Sequence, residues 1–230
     1  MRVVGIDGCR GGWIAIRDDG DITLAESFKT LLATYSHEKL YVDIPMGLPA
    51  GRSRDLETAA RKVLYNRRSS IFPVPCREAI YADDYLKACE INQEHTGRKI
   101  SHQAWNICHK IREADIVLSE QPRLADRVFE SHPELAFQCF KGAGLRHSKK
   151  SREGLDERLA LLRQTLPHAD DWYERALRLY QRKDLARDDI VDALALVAVG
   201  RTSPQKITGS DDTDDRGIPI RMMIPLTHRA

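Results

Sequence analysis

One aspartate stands where an apolar residue is expected. The run Ile190–Val199 is apolar throughout except for Asp192. Burying an unpaired carboxylate costs several kcal/mol or more, so this side chain must be solvated, paired, neutralised or bound to a cation. Asp7 ends the apolar stretch VVGI just before Gly8, Asp43 lies inside LYVDIP, and Glu130 follows Val128 and Phe129. Each has an ordinary explanation alone: strand ends carry Asp to start a turn, and a helix N-terminus accounts for Asp188 or Asp189 as caps. Together they suggest chemistry. Asp189 and Asp192 are three apart and share a helix face. If that face packs on the ends of neighbouring strands carrying Asp7 and Asp43, three or four carboxylates converge. Such groups repel and take up protons unless cations bridge them. All-oxygen, negatively charged ligation suits Mg²⁺ or Mn²⁺ rather than zinc. A paired divalent site is the usual apparatus for in-line displacement at phosphorus.

The elements that must position these acids read as α/β. RVVGID is a strand, GCRGG a glycine-rich turn, WIAIRDDG a second strand closed by Asp-Gly, and DITLAE a short third. Ser27 caps a helix whose Phe28, Leu31, Leu32 and Tyr35 share one face. KLYVDIP is apolar almost throughout, which predicts a central strand ended by Pro45. A helical insert spans about 50–125, with apolar stripes at Leu56, Ala59, Ala60, Val63, Leu64 and at Ala104, Ile107, Cys108, Ile111, Ala114, Leu118. Strand character returns around Val128 and Phe129. Helices are expected over roughly 152–166, capped by Ser151, and 171–182, capped by Asp170, before the helix carrying Asp192. GRTSPQKITGSDDTDDRG reads as a polar loop and IPIRMMIP as a last edge strand. No internal repeat is present. The order predicts one α/β domain over 1–230, built on a mixed sheet of three antiparallel strands followed by parallel ones, flanked by helices.

Composition narrows the function classes. A net charge of +2 on 230 residues gives no bulk nucleic-acid signal, so any basic surface must be local. The five cysteines are scattered and form no C-x-x-C pair, which reads as reduced thiols. His102 and His109 lie two helical turns apart, about 10 Å, too far to chelate one ion. No leader opens the sequence and no apolar run reaches about 18 residues, so a cytoplasmic protein without a membrane partner is expected. Oligomeric state is not legible.

Further motifs surround the acids. GIDGCRGG matches neither dinucleotide-binding nor P-loop spacing; it is a hairpin turn, or a place where Gly8, Gly11 and Gly12 let phosphate approach the backbone. Arg67, Arg68, Ser69 and Ser70 enter a loop after a helix, where guanidinium and hydroxyl groups can grip phosphate, and Lys149 lies in a second basic loop, RHSKKSR. In ESHPELAF, His132 and Glu134 are candidates to support the acids as proton shuttle or outer partners, with Pro133 fixing the direction of His132.

The set GID, an acid on strand four and DDIVDALAL resembles the ribonuclease H-like superfamily, and the last motif is similar to the acidic helix of Holliday-junction resolvases. More closely, GIDGCRGGW, VDIPMGLP, RRSSIFPVP, HPELAF and DDIVDALAL, in that order over residues 5 to 200, resemble the family of unknown function numbered 429, described as predicted ribonuclease H-like nucleases. The resemblance implies a nuclease that hydrolyses phosphodiester bonds with two Mg²⁺ or Mn²⁺ ions and Asp7, Asp43, Asp189 and Asp192 as ligands. In that scheme Asp7 bridges both ions, Asp43 and Asp192 each hold one, and Asp189 or Glu130 completes a shell. Arg67, Arg68, Ser69, Ser70 and Lys149 contact phosphates of a nucleic acid whose type is open. Two departures stand out. Only Glu26 and Glu38 flank the first helix, where ribonuclease H carries a catalytic Glu in its middle, and the insert after strand four is long. Two other readings remain: an actin- or sugar-kinase-like phosphotransferase or nucleotide hydrolase, and a non-catalytic binding relative.

Overall fold

The computed structural model describes residues 1–64, 66 and 68–226. Strands β1 (Val3–Cys9), β2 (Gly12–Arg17) and β3 (Ile22–Ala25) form an antiparallel meander. On the other side of β1 lies β4 (Lys39–Val42), parallel to it, and β5 (Val128–Ser131) runs parallel to β4. Two later strands extend the sheet: β6 (Gln205–Thr213) and β7 (Pro219–Ile224), giving the order β3-β2-β1-β4-β5-β7-β6.

Helix α1 (Phe28–Thr34) links the meander to β4, and Ser27 Oγ accepts from Thr30 N at 3.1 Å as its cap. The insert between β4 and β5 carries α2 (Leu56–Val63), a 3₁₀ turn at Arg68–Ser70, α3 (Arg77–Ile80), α4 (Tyr85–Thr96) and α5 (His102–Glu120). After β5 come α6 (Pro133–Lys141), α7 (Arg152–Leu162), α8 (Ala169–Leu179) and α9 (Arg187–Arg201).

The two-residue period of β1 divides the core. Val4 and Ile6 face one layer, with Phe28, Leu31, Tyr35 and Ile111. Val3 and Cys9 face the other, with the apolar residues of α9 and parts of α6, α7 and α8. Asp7 has the parity of Val3 and Cys9, so it projects toward the α9 layer. Gly5 shares that parity and marks the closest approach: a Cβ built there would stand 2.1 Å from Ala193 O and 2.5 Å from Val197 N of α9. Only glycine lets the helix axis come this near the strand.

Several expectations need correction. The stretch read as a polar loop contains β6, which pairs antiparallel with β7. It lacks apolar alternation because it is an edge strand, held by backbone pairing and by Ser210 N donating to both oxygens of Asp55, at 3.0 and 2.9 Å. For the same reason β7 is internal rather than an edge, lying between β5 and β6. The strand signal at 128–131 is right, but HPELAF turns at once into α6, with Pro133 at its first position, where the missing N–H costs nothing. The α8 helix begins before Asp170, which lies in its first turn rather than at the cap.

Candidate carboxylate site

The register of β1 and β4 brings the first two acids together. Ile6 pairs with Val42, and Asp43 N donates to Ile6 O at 3.0 Å, so Asp7 and Asp43 leave the carboxyl ends of adjacent parallel strands. Asp7 is 8% exposed, and its Oδ1 accepts from Gly8 N at 2.7 Å. Across the Gly5 contact, α9 presents Asp192, 4% exposed amid the buried run Ile190–Val199. Asp189 lies one turn earlier, half-buried, and accepts from Ala186 N at 2.9 Å. Asp189 therefore caps α9, and Asp188 does not.

Lys149 answers the question that Asp192 raises. Its Nζ donates to Asp192 Oδ2 at 2.8 Å and lies 3.5 Å from Asp188 Oδ2. The lysine comes from the loop between α6 and α7, whose backbone is pinned by Glu157: Arg146 N and His147 N both donate to its carboxylate, at 3.1 and 3.0 Å. Lys149, expected on phosphate, is thus held against the acids.

One lysine does not neutralise this set. Burial drives the Asp7 carboxyl well above the usual range, and Asp43, Asp192 and Asp189 push it further while Lys149 opposes. Burial raises Asp43 to about 7 against the pull of Lys149, with Glu134 adding to the rise. Asp192 is raised to about 6, again by burial first, despite its bond to Lys149. Asp189 is raised by burial and by Asp188, its bond from Ala186 opposing. Burial works against the Lys149 ammonium, but Asp192, Asp7 and Asp188 outweigh it and hold the proton more firmly than usual.

The remaining expected residues divide. Glu130 is close by but occupied: it accepts from Arg54 Nη1 and Nη2 at 2.9 and 2.5 Å and from Met46 N at 2.8 Å. Arg54 also holds Glu57 at 2.6 Å, so the three form a fully buried ionic cluster beside the site. Glu134 pairs with Arg158 at 2.5 Å. Burial keeps the His132 imidazole below its usual pKa; its Nε2 lies 3.4 Å from Ser70 O. Arg68 Nε donates to Leu64 O at 3.2 Å, closing the end of α2, and Ser69 is exposed in the turn that follows. Arg67 lies outside the described residues.

These acids border a cavity of about 540 Å³. Asp7, Asp43, Asp192 and Lys149 line it, together with the apolar Ile44, Ile71, Phe72, Val74 and Ile107. Sequence reasoning passed over Lys110, which also lines the cavity, donates to Gly12 O at 2.6 Å and lies 4.5 Å from the Trp13 ring centroid. A signal existed, since Lys110 borders the apolar stripe, three residues after Ile107. Arg54 left no signal, because its partners are distant in sequence.

All-oxygen donors with excess negative charge in a poorly solvated pocket fit a hard divalent cation in chemistry. Among the described residues, however, no three carboxylate, imidazole or thiol groups are grouped closely enough to hold one ion in the present side-chain arrangement. Also among the described residues, no helix is long and apolar enough to cross a membrane.

Fold and site define a mixed α/β protein with a buried carboxylate cluster at the carboxyl ends of two neighbouring parallel strands. Residues 5–210 match the family described as Protein of unknown function (DUF429), and the chain belongs to that family. No curated protein and no solved structure matches it.

Proposed function

We propose that the protein is a metal-dependent nuclease of the ribonuclease H-like kind, hydrolysing phosphodiester bonds in nucleic acid. The observation that carries this reading is the charge excess at the site. Of Asp7, Asp43, Asp189 and Asp192 only Asp192 is in contact with an ammonium, that of Lys149, and every one of these carboxyls is driven toward protonation. A site so short of positive charge is one that Mg²⁺ or Mn²⁺ would fill, with Asp7, Asp43 and Asp192 as holders and Asp189 fixed at the start of α9. The meander followed by β4 and β5, with acids on β1, after β4 and on a late helix, supports the same reading.

When bound, such ions supply an activated water and stabilise charge on the leaving oxygen. The chain's own part is positional. The strand ends fix Asp7 and Asp43, the Gly5 contact fixes α9, and the apolar lining limits water near the reacting phosphate. Lys149 places a further positive charge beside Asp192.

The test is hydrolysis of single-stranded, duplex, hybrid and branched nucleic acids with Mg²⁺ or Mn²⁺. At least one should be cleaved, and Asp7→Asn or Asp192→Asn should lower the rate by roughly 10²-fold or more. Cleavage that survives both substitutions sinks the assignment.

A further inference from the structure

A second cleft, of about 930 Å³, adjoins the site and is bordered by Asp188 and Asp189 at the start of α9. Gly8 and Lys110 line both clefts, so the two meet at the end of β1, beside Asp7. Their chemistries differ. The first has the apolar lining of Ile71, Phe72, Val74 and Ile107, of which Phe72 and Ile107 are only partly buried. The second is lined by Arg10, Lys110, Lys150 and Arg182. Arg10, Lys150 and Arg182 are exposed and make no ion pair among the described residues.

Acids line this second cleft too, but most are engaged elsewhere. Glu113 accepts from Trp13 Nε1 at 2.9 Å and from Phe28 N at 2.5 Å. Asp188 faces Lys149, and Asp189 caps α9. The four acids balance the four cations of the lining in number, but Arg10, Lys150 and Arg182 are exposed and, among the described residues, unpaired, free to hold phosphates. A polyanion is the ligand this arrangement suits.

We propose that the two clefts form one track for an unpaired nucleic-acid strand, with backbone phosphates on Arg10, Lys150 and Arg182 and a base against Phe72 and Ile107. The phosphodiester between them then lies over Asp7 and Gly8, where the absence of a side chain leaves the Lys110 stem in contact with the strand end. The proposal rests on the nuclease reading and sharpens it. A base enclosed by an apolar wall has no room for its pairing partner, so the substrate is single-stranded at the point of cleavage. Phosphate gripping also moves away from Arg68 and Lys149, both of which have intramolecular partners.

Binding of fluorescent single-stranded and duplex oligonucleotides to the Asp7→Asn protein with Mn²⁺ tests the track. Single strands should bind about tenfold or more tightly than duplex. Arg10→Ala, Lys150→Ala and Arg182→Ala together should weaken single-strand binding and reduce the slope of log K against log salt by about two units. Phe72→Leu should weaken it about tenfold with the slope unchanged, as loss of a stacking face does; its melting temperature confirms that it folds. Equal affinity for duplex, or a triple variant that binds like the parent, overturns the proposal. Mn²⁺-dependent hydrolysis of bis(p-nitrophenyl) phosphate, on the chain with its native Asp7, separates the two claims. The unsubstituted chain should hydrolyse it, and Asp192→Asn should not, if the nuclease reading is right, whether or not the track exists. If hydrolysis is absent while strand binding falls as described, the track stands and the nuclease reading fails.

Discussion

Lys149 Nζ lies 2.8 Å from Asp192 Oδ2, so the one charge buried within the α9 apolar run is paired with a cation from a loop 43 residues earlier. That ammonium competes for the carboxylates with any divalent ion. Replacing it by an uncharged chain should have opposite effects on the two states. Metal-free Lys149→Met should lose about 1–2 kcal/mol, a value reduced from the fully buried case because the lysine side chain is 39% exposed. The same variant should gain more stability from Mn²⁺ than the wild type does. Thermal melts with and without Mn²⁺ measure both, and equal metal-induced shifts in the two proteins refute the competition.

The raised carboxyls set a pH dependence whose sign follows from linkage. Asp43 titrates near 7 and Asp192 near 6 in the fold, against a normal value of 3.8. As pH rises above about 4 the unfolded chain releases these protons first, so the folded state binds more protons and loses relative stability. The contribution is complete below pH 4 and gone above about 7. The metal-free protein should therefore melt at a lower temperature at pH 8 than at pH 5, and Asp43→Asn should flatten that fall and raise the melting temperature at pH 8. Melting across pH 4–8 in EDTA is the measurement. A stability that rises through this window would show that the carboxylates are well compensated.

Glu130 makes a different prediction because its carboxylate is paired with a buried guanidinium within the fold. Arg54 is bound by both Glu130 and Glu57. Removing one partner from a buried ionic cluster is costly even where the intact cluster contributes little. Glu130→Gln should destabilise by about 2–4 kcal/mol, and Arg54→Met by at least as much. Chemical denaturation checks the order; a neutral Glu130→Gln would mean that water reaches Arg54.

Much of the site was legible because its signals were violations of local rules. Asp192 breaks an apolar helix, Asp43 breaks the apolar run LYVDIP just past the end of β4, and helix and strand periods then orient both. Roles set by distant partners were not legible. Nothing within RHSKKSR distinguishes a lysine bound for phosphate from one bound for Asp192, since the choice depends on how Glu157 of α7 holds the loop. Glu130 looked like Asp43 in sequence; Arg54, 76 residues earlier, separates them. The β6 strand escaped because an edge strand carried by backbone bonds needs no apolar pattern.

Gly5 offers a test of the geometry itself. Gly5→Ala places a methyl group where only 2.1 Å separates it from Ala193 O, and both neighbours are backbone, so β1 and α9 must part. The separation opens the distance between Asp7 on β1 and Asp192 on α9 without touching either acid. Stability should fall by about 2–4 kcal/mol, as for other overpacked cores. Gly200→Ala makes a useful comparison, because the added atom would press on Val3 and Tyr41 near the far end of the same helix. Both variants should lose stability, but only Gly5→Ala should lose most of the stabilisation that Mn²⁺ confers at pH 8. If the two retain it equally, α9 does not set the spacing of the acids, and Asp192 belongs to Lys149 alone.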